Sequence, residues 1–182
     1  MNKGILPRSK TNISNWEVHP SNEDYVYLTD TYPIYFGICA SDLEEDDKGL
    51  KGVVIFEVDL DEEDEAYLYP DEDFVASWLL HNDSDMSMNE AVDSAKMWMF
   101  TLQDYWSDSL RAIGNCAYYG AIAPSKISRY VILDSESHND LFWEAIQPTI
   151  TVLNKQICGE YYQQLIVDAF EDKSAHLVNL KC

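Results

Sequence analysis

The sequence predicts one α+β domain, and three observations carry that expectation. The chain has 182 residues, 46% of them apolar and 13% aromatic, which suits one buried core rather than two. Short runs rich in β-formers occur near 25–29, 53–60, 116–119 and 129–133. Helical periodicity marks the stretch after Ser87 and the stretch 155–171.

In chain order, Tyr25-Val26-Tyr27-Leu28-Thr29 reads as a strand and the apolar run Ile34–Ala40 as a buried helix. From Val53 to Leu60 the pattern alternates. Val54, Phe56, Val58 and Leu60 are expected on a core face, with Glu57, Asp59 and Asp61 as an outward carboxylate ladder spaced at about 6.6 Å. Ser87-Met88-Asn89-Glu90 fits a capping box, in which the serine hydroxyl and the glutamate carboxylate satisfy free N–H groups at a helix start. One long helix should follow, with Ala91, Ala95, Trp98, Leu102, Tyr105 and Trp106 toward the core and Gly114-Asn115 as its stop. Strands near Cys116–Tyr119 and Arg129–Leu133 flank the turn region 120–124. A helix from Leu141 stops before Pro148, and the last helix over 155–171 turns Tyr161 or Leu165 to the core. There is no internal repeat or low-complexity tract.

The formal net charge is −21, from 33 acids and 12 bases. Residues 1–41 hold four acids and three bases, residues 42–93 nineteen and two, and residues 94–182 ten and seven. One third of the chain therefore carries most of the field. Such a field repels nucleic acid and anionic membranes and steers encounter with basic surfaces. The expected partner is a basic, nucleic-acid-binding protein. The expected contact residues are Glu44, Glu45, Asp46, Asp47, Glu57, Asp59, Asp61, Glu62, Glu63, Asp64 and Glu65, imitating a phosphate backbone.

Other chemistry is sparse. Cys39, Cys116, Cys158 and Cys182 include no C-x-x-C pair and read as reduced structural thiols, and the four histidines are scattered, so no metal is expected. The carboxylates of Asp71-Glu72-Asp73 lack the ligand spacing and central glycine of an EF-hand loop and read as helix caps. Neither a membrane-length apolar run nor a signal-peptide core is present, which predicts a cytoplasmic protein.

Several segments in this order resemble bacterial and phage proteins related to ADP-ribosyltransferases and the tRNA 2′-phosphotransferase. They are Gly4-Ile5-Leu6-Pro7-Arg8, His19-Pro20-Ser21, Val26-Tyr27-Leu28-Thr29-Asp30 and Leu68–Phe74, then Trp106 with Ser109-Leu110 and Gly114, Tyr119-Gly120 with Ile122 and Pro124, and Ile150-Thr151 with Leu153-Asn154. The resemblance implies a split β core that clamps NAD, with flanking helices. Relatives carry a Tyr-His-x-Thr strand before the segment matching Gly4–Pro7, where this chain has only Met1-Asn2-Lys3, and the late-strand glutamate would fall near Ala117–Tyr119, where there is no carboxylate. That glutamate stabilises the cationic centre left when nicotinamide departs. Arg111 and Arg129 are few for phosphotransfer. The resemblance thus implies a fold kept without its chemistry: an acidic interaction or inhibitor protein of the counter-defence type, which blocks restriction or RNA-guided nucleases, and needs no cofactor. The alternative is an NAD-dependent ADP-ribosyltransferase acting on a protein or nucleic acid. It would use His19, Tyr27, Thr29 and Tyr119, with NAD against Tyr27, Thr29, Tyr32 and Tyr35.

Overall fold

Among the described residues six short strands, none long enough to fold alone, pair into two three-stranded antiparallel sheets. They are seen in a computed structural model that describes residues 3–11, 20–42, 52–134, 136–146, 155–173 and 175–179. The first sheet has the order β1 (Tyr25–Thr29), β4 (Asn115–Tyr119), β3 (Leu68–Pro70). The second has the order β2 (Gly52–Val58), β5 (Ile127–Asp134), β6 (His176–Asn179). The chain is α+β. β4 and β5 follow one another in sequence yet are the central strands of different sheets. Between them Gly120, at φ +85°, turns the chain and Ile122 bridges Ile5.

Helices cover both faces of the first sheet and one face of the second. Tyr25, Tyr69 and Ala117 pack under α3 (Glu72–Asn82) and α4 (Met88–Thr101), against Val75, Leu79, Ala91, Ala95 and Met99. The reverse face of that sheet, with Val26, Leu68, Cys116 and Tyr118, meets Ile122 and the apolar side of α5 (Trp106–Ile113). In the second sheet, Val53, Ile55, Val131 and Leu133 lie against α2 (Pro33–Asp42), α6 (Asn139–Ile146) and α7 (Lys155–Glu171). A one-turn helix, α1 (Arg8–Thr11), precedes all of these.

Three expectations are corrected. The face of β2 is inverted: Val53 and Ile55 are buried, while Val54 and Phe56 are exposed at 48% and 37%. Val53 packs closely on Gly37 of α2, where a Cβ would meet Val53 Cγ1 at 3.0 Å. Past Glu57 the register skips Ser128 of β5, a bulge, and beyond it Val58 and Leu60 pack against the core of the first sheet. The carboxylate ladder therefore does not form, since Glu57 shares its face with Ile55 and the strand ends before Asp59. The long helix is also divided. Its capping box is present as expected, but Leu102 ends α4 and a 3₁₀ turn over Gln103–Tyr105 precedes α5, so Trp98 and Tyr105 are exposed and Met99 is buried. In α7 the inward tyrosine is Tyr162, 2% exposed, with Leu165, while Tyr161 is exposed.

Asp71 caps α3 as expected, its carboxylate accepting the Asp73 N–H at 2.9 Å. Its own N–H donates to the buried Ser109 hydroxyl at 3.0 Å, which donates to the Asn115 carbonyl at 2.8 Å. One serine thus ties α5 to the start of α3 and to β4. Burial, reinforced by Asp73, pushes the Asp71 carboxyl up to about 7. A carboxyl raised on folding binds its proton more tightly in the native state. Its contribution to stability is therefore greatest below the unfolded value near 4 and falls as pH rises toward 7. Asp71→Asn keeps a good cap and removes the titration. The urea midpoint of the native chain should drop more steeply between pH 5 and 8 than that of the variant, and parallel curves would contradict this account.

Candidate functional site

β2 leaves its sheet through a segment in which acids outnumber everything else, and the structure sorts those acids into two groups. Glu57, 39% exposed at its side chain, is engaged within the fold. Its Oε2 accepts from Arg129 Nε at 2.9 Å and Nη2 at 2.7 Å, and its Oε1 accepts from the Ser128 hydroxyl at 3.0 Å. The Arg129 bonds, with that from Ser128, hold the Glu57 carboxyl below the usual carboxylate range despite its partial burial. The guanidinium also sits 4.3 Å from the centre of the Phe170 ring, which ties β5 to α7.

Beyond the bulge, Asp59 donates its N–H to the Lys126 carbonyl at 2.8 Å, which starts a turn built around that lysine. Lys126 Nζ lies 2.6 Å from both Asp61 Oδ2 and Asp64 Oδ2. The turn closes on itself, with Asp61 N–H donating to the Asp64 carboxylate at 2.9 Å and Asp64 N–H to the Asp61 carbonyl at 3.0 Å. Asp64, only 6% exposed, also accepts the Tyr118 hydroxyl at 3.1 Å. Burial alone would raise its pKa. The donors from Lys126, Asp61 and Tyr118 outweigh that and hold it below the ordinary aspartate value. The hydrogen bonds to Asp61 and Asp64 in turn raise Lys126 above an ordinary lysine.

Of the expected contact residues, Glu57, Asp61 and Asp64 thus serve the fold. Asp59, Glu62, Glu63 and Glu65 are exposed, and among the described residues the three glutamates are in no ion pair. Glu44, Glu45, Asp46 and Asp47 lie outside the described residues. Lys126 and Tyr118 were not foreseen as part of this segment. The signal for Lys126 was scarcity, because with 12 bases for 33 acids a buried aspartate must recruit one of few cations.

The residues that would hold NAD are placed differently. Tyr27 donates its hydroxyl to Glu72 Oε1 at 2.5 Å and accepts the Asn22 N–H at 3.0 Å, and burial beside Glu72 raises its pKa far above the usual value. Thr29 donates to the Gly114 carbonyl at 2.8 Å and accepts the N–H groups of Thr31 and Tyr32 at 3.1 and 2.9 Å. Tyr32 is fully buried, its hydroxyl 3.4 Å from Cys158 Sγ, and Tyr35 packs on that same core. Tyr119, 49% exposed, lies edge-on to Tyr25 and Tyr69. His19 lies outside the described residues. Tyr27 thus packs on the first sheet's core and Tyr32 and Tyr35 on the second's, the Thr29 hydroxyl is committed to a turn and Tyr119 is exposed, so among the described residues these side chains are not gathered at one site. The cavity of about 140 Å³ bordered by Glu72, Asp73, Val92, Asp93 and Lys96 is lined by none of them and is small for a cofactor, whose sites run to roughly 300 Å³ and more.

No family model matches the chain, and neither a curated protein nor a solved structure matches it. Among the described residues no helix is long and apolar enough to cross a membrane.

The Lys126 clamp has a testable pH signature. Lys126→Met leaves Asp64 buried and anionic with its strongest donor gone. A carboxyl held low by its partners stabilises the fold above its unfolded pKa and loses that contribution as pH falls through the folded value. The variant should melt earlier than the native chain at pH 7, and the gap should narrow as pH falls below about 4, when Asp64 takes up a proton. A gap that is the same at pH 7 and pH 3 would assign the loss to packing.

Proposed function

We propose that the chain is an acidic interaction protein that engages a basic nucleic-acid-binding protein in place of nucleic acid, on an ADP-ribosyltransferase-like split β core. The observation that carries this reading is the pinned acidic turn. Glu62, Glu63 and Glu65 project from a segment whose inner carboxylates are clamped by one lysine. A turn fixed before binding loses little conformational freedom on association, and outward carboxylates on it can meet lysines and arginines that otherwise grip phosphates. The surrounding charge of −21 adds long-range attraction for a basic groove and repulsion of nucleic acid itself. The division into two three-stranded sheets supports the fold half of the proposal.

The test uses a panel of purified DNA- and RNA-binding proteins, among them restriction and RNA-guided nucleases, against the immobilised chain. Binding should fall at least about tenfold between 50 and 500 mM salt and be displaced by duplex DNA. The triple variant Glu62→Gln, Glu63→Gln, Glu65→Gln should weaken it without changing the circular dichroism. Binding indifferent to salt, to DNA and to the variant would overturn the proposal.

The split core also favours a second reading, NAD-dependent ADP-ribosyl transfer. Titration calorimetry with NAD separates the two. Our proposal expects no heat of binding, whereas micromolar binding followed by transfer of one ADP-ribose mass to a protein or nucleic acid would establish the enzyme instead.

A further inference from the structure

The inversion of β2 leaves an apolar surface that no described element covers. On the outer face of the second sheet, Val54 lies opposite Ile132 and Phe56 opposite Tyr130, which in turn lies opposite Val178 on β6. The register makes these five residues contiguous across all three strands. Val54, Phe56 and Ile132 are exposed at 48%, 37% and 36%, and the Phe56 and Tyr130 rings touch at 5.8 Å between centroids. The opposite face of the same strands is the packed one. Side chains of this size on a sheet are usually covered, and contiguous exposed apolar surface marks an interaction site.

Charge decides among possible occupants. Acids close both ends of the face: Asp134, itself on the outward face opposite Gly52, at one end, and Asp59 with the clamped turn at the other. Three strands at about 4.8 Å spacing, with five residues at about 3.3 Å rise, offer only a few hundred Å², well short of the ~800 Å² per partner of a stable interface. An occupant must therefore also engage the rim. A second copy would bring acids onto acids in a protein of net charge −21, whereas a basic partner finds complementary charge on either side of an apolar centre.

We propose that the outer face of the β2–β5–β6 sheet is the apolar centre of a docking surface for a basic protein segment with apolar residues of its own, the acidic turn forming its charged rim. This rests on the reading of the chain as an acidic interaction protein and adds to it what the partner must present besides charge.

Two synthetic peptides of equal length and charge serve as probes, one alternating lysine with valine and phenylalanine, the other lysine with serine. The native chain should bind the apolar peptide at least about tenfold more tightly, a difference that burying a few such side chains readily supplies. Val54→Thr, Phe56→Thr and Ile132→Thr together should erase that preference while leaving the serine peptide's affinity unchanged. Val54→Thr alone, at the most exposed site, should reduce it if the triple variant is poorly folded. The glutamine variant of Glu62, Glu63 and Glu65 should weaken both peptides by the same factor and keep the preference. Equal binding of the two peptides by the native chain, or a preference that survives the sheet substitutions, overturns the docking surface alone. Failure of the serine peptide to bind in a salt-dependent way overturns the acidic reading beneath it. Sedimentation of the native chain as a dimer that the threonine substitutions dissociate would assign the face to a second copy and overturn the proposal.

Discussion

The carbonyl of Gly114 accepts both the Thr29 hydroxyl and the Asp30 N–H, at 2.8 and 3.1 Å, and the connection between the two sheets turns on it. Thr29 is the last residue of β1. By accepting the N–H groups of Thr31 and Tyr32 its hydroxyl bends the chain straight into α2, whose Ile34 and Ile38 belong to the other sheet's core. Gly114 ends α5 and starts β4, at φ +77°, where a Cβ would lie 2.7 Å from Thr31 Oγ1. Only glycine fits this crossing, both by conformation and by space. Lys155 brings α7 to the same place, pairing with Asp30 and donating to the Leu110 carbonyl at 3.2 Å.

Five cations of this chain behave as fasteners. Lys126 closes the acidic turn, Arg129 joins Glu57 to Phe170, Lys155 holds Asp30, Lys96 donates to the Pro20 carbonyl, and Arg8 to that of Ser21. Each neutralises or anchors a group that the fold needs in place. A dense acidic segment would ordinarily repel itself into an open loop. Here two of its carboxylates, Asp61 and Asp64, share one ammonium, and the turn stays closed while its neighbours face water.

Features set by local chemistry were legible in the sequence. The capping box at Ser87 and Glu90, the cap at Asp71 and the stop at Gly114 all depend on backbone groups a few residues away. The face of β2 was not, because Val53-Val54-Ile55-Phe56 is apolar at every position and carries no phase of its own. The tertiary fact that bears on it is the close approach of Val53 to Gly37, which leaves no period in the sequence. The end of α4 was hidden for a related reason. Leu102 is buried whether the helix continues or stops, so its apolar spacing runs unbroken through the 3₁₀ turn. The split of the acids was legible only in part, since pairing Lys126 with Asp64 spans 62 residues.

The same inversion bears on how an acidic protein could be selective. Coulomb attraction between exposed charges reaches about 8 Å in physiological salt and draws in basic surfaces with little discrimination. It governs how often partners meet more than how long they stay. Residence and choice require contacts that act only when shapes fit, and excluding water from apolar side chains is the strongest of these. Had β2 kept the phase its acids suggest, Val54 and Phe56 would lie in the core and Glu57 would face outward beside Val53 and Ile55. With the phase reversed, Glu57 is neutralised by Arg129 on the inner side, and the outer side joins an apolar centre to acidic ends within one rigid sheet. One residue of phase thus decides whether Glu57 faces outward among apolar side chains or is held by Arg129 within the fold.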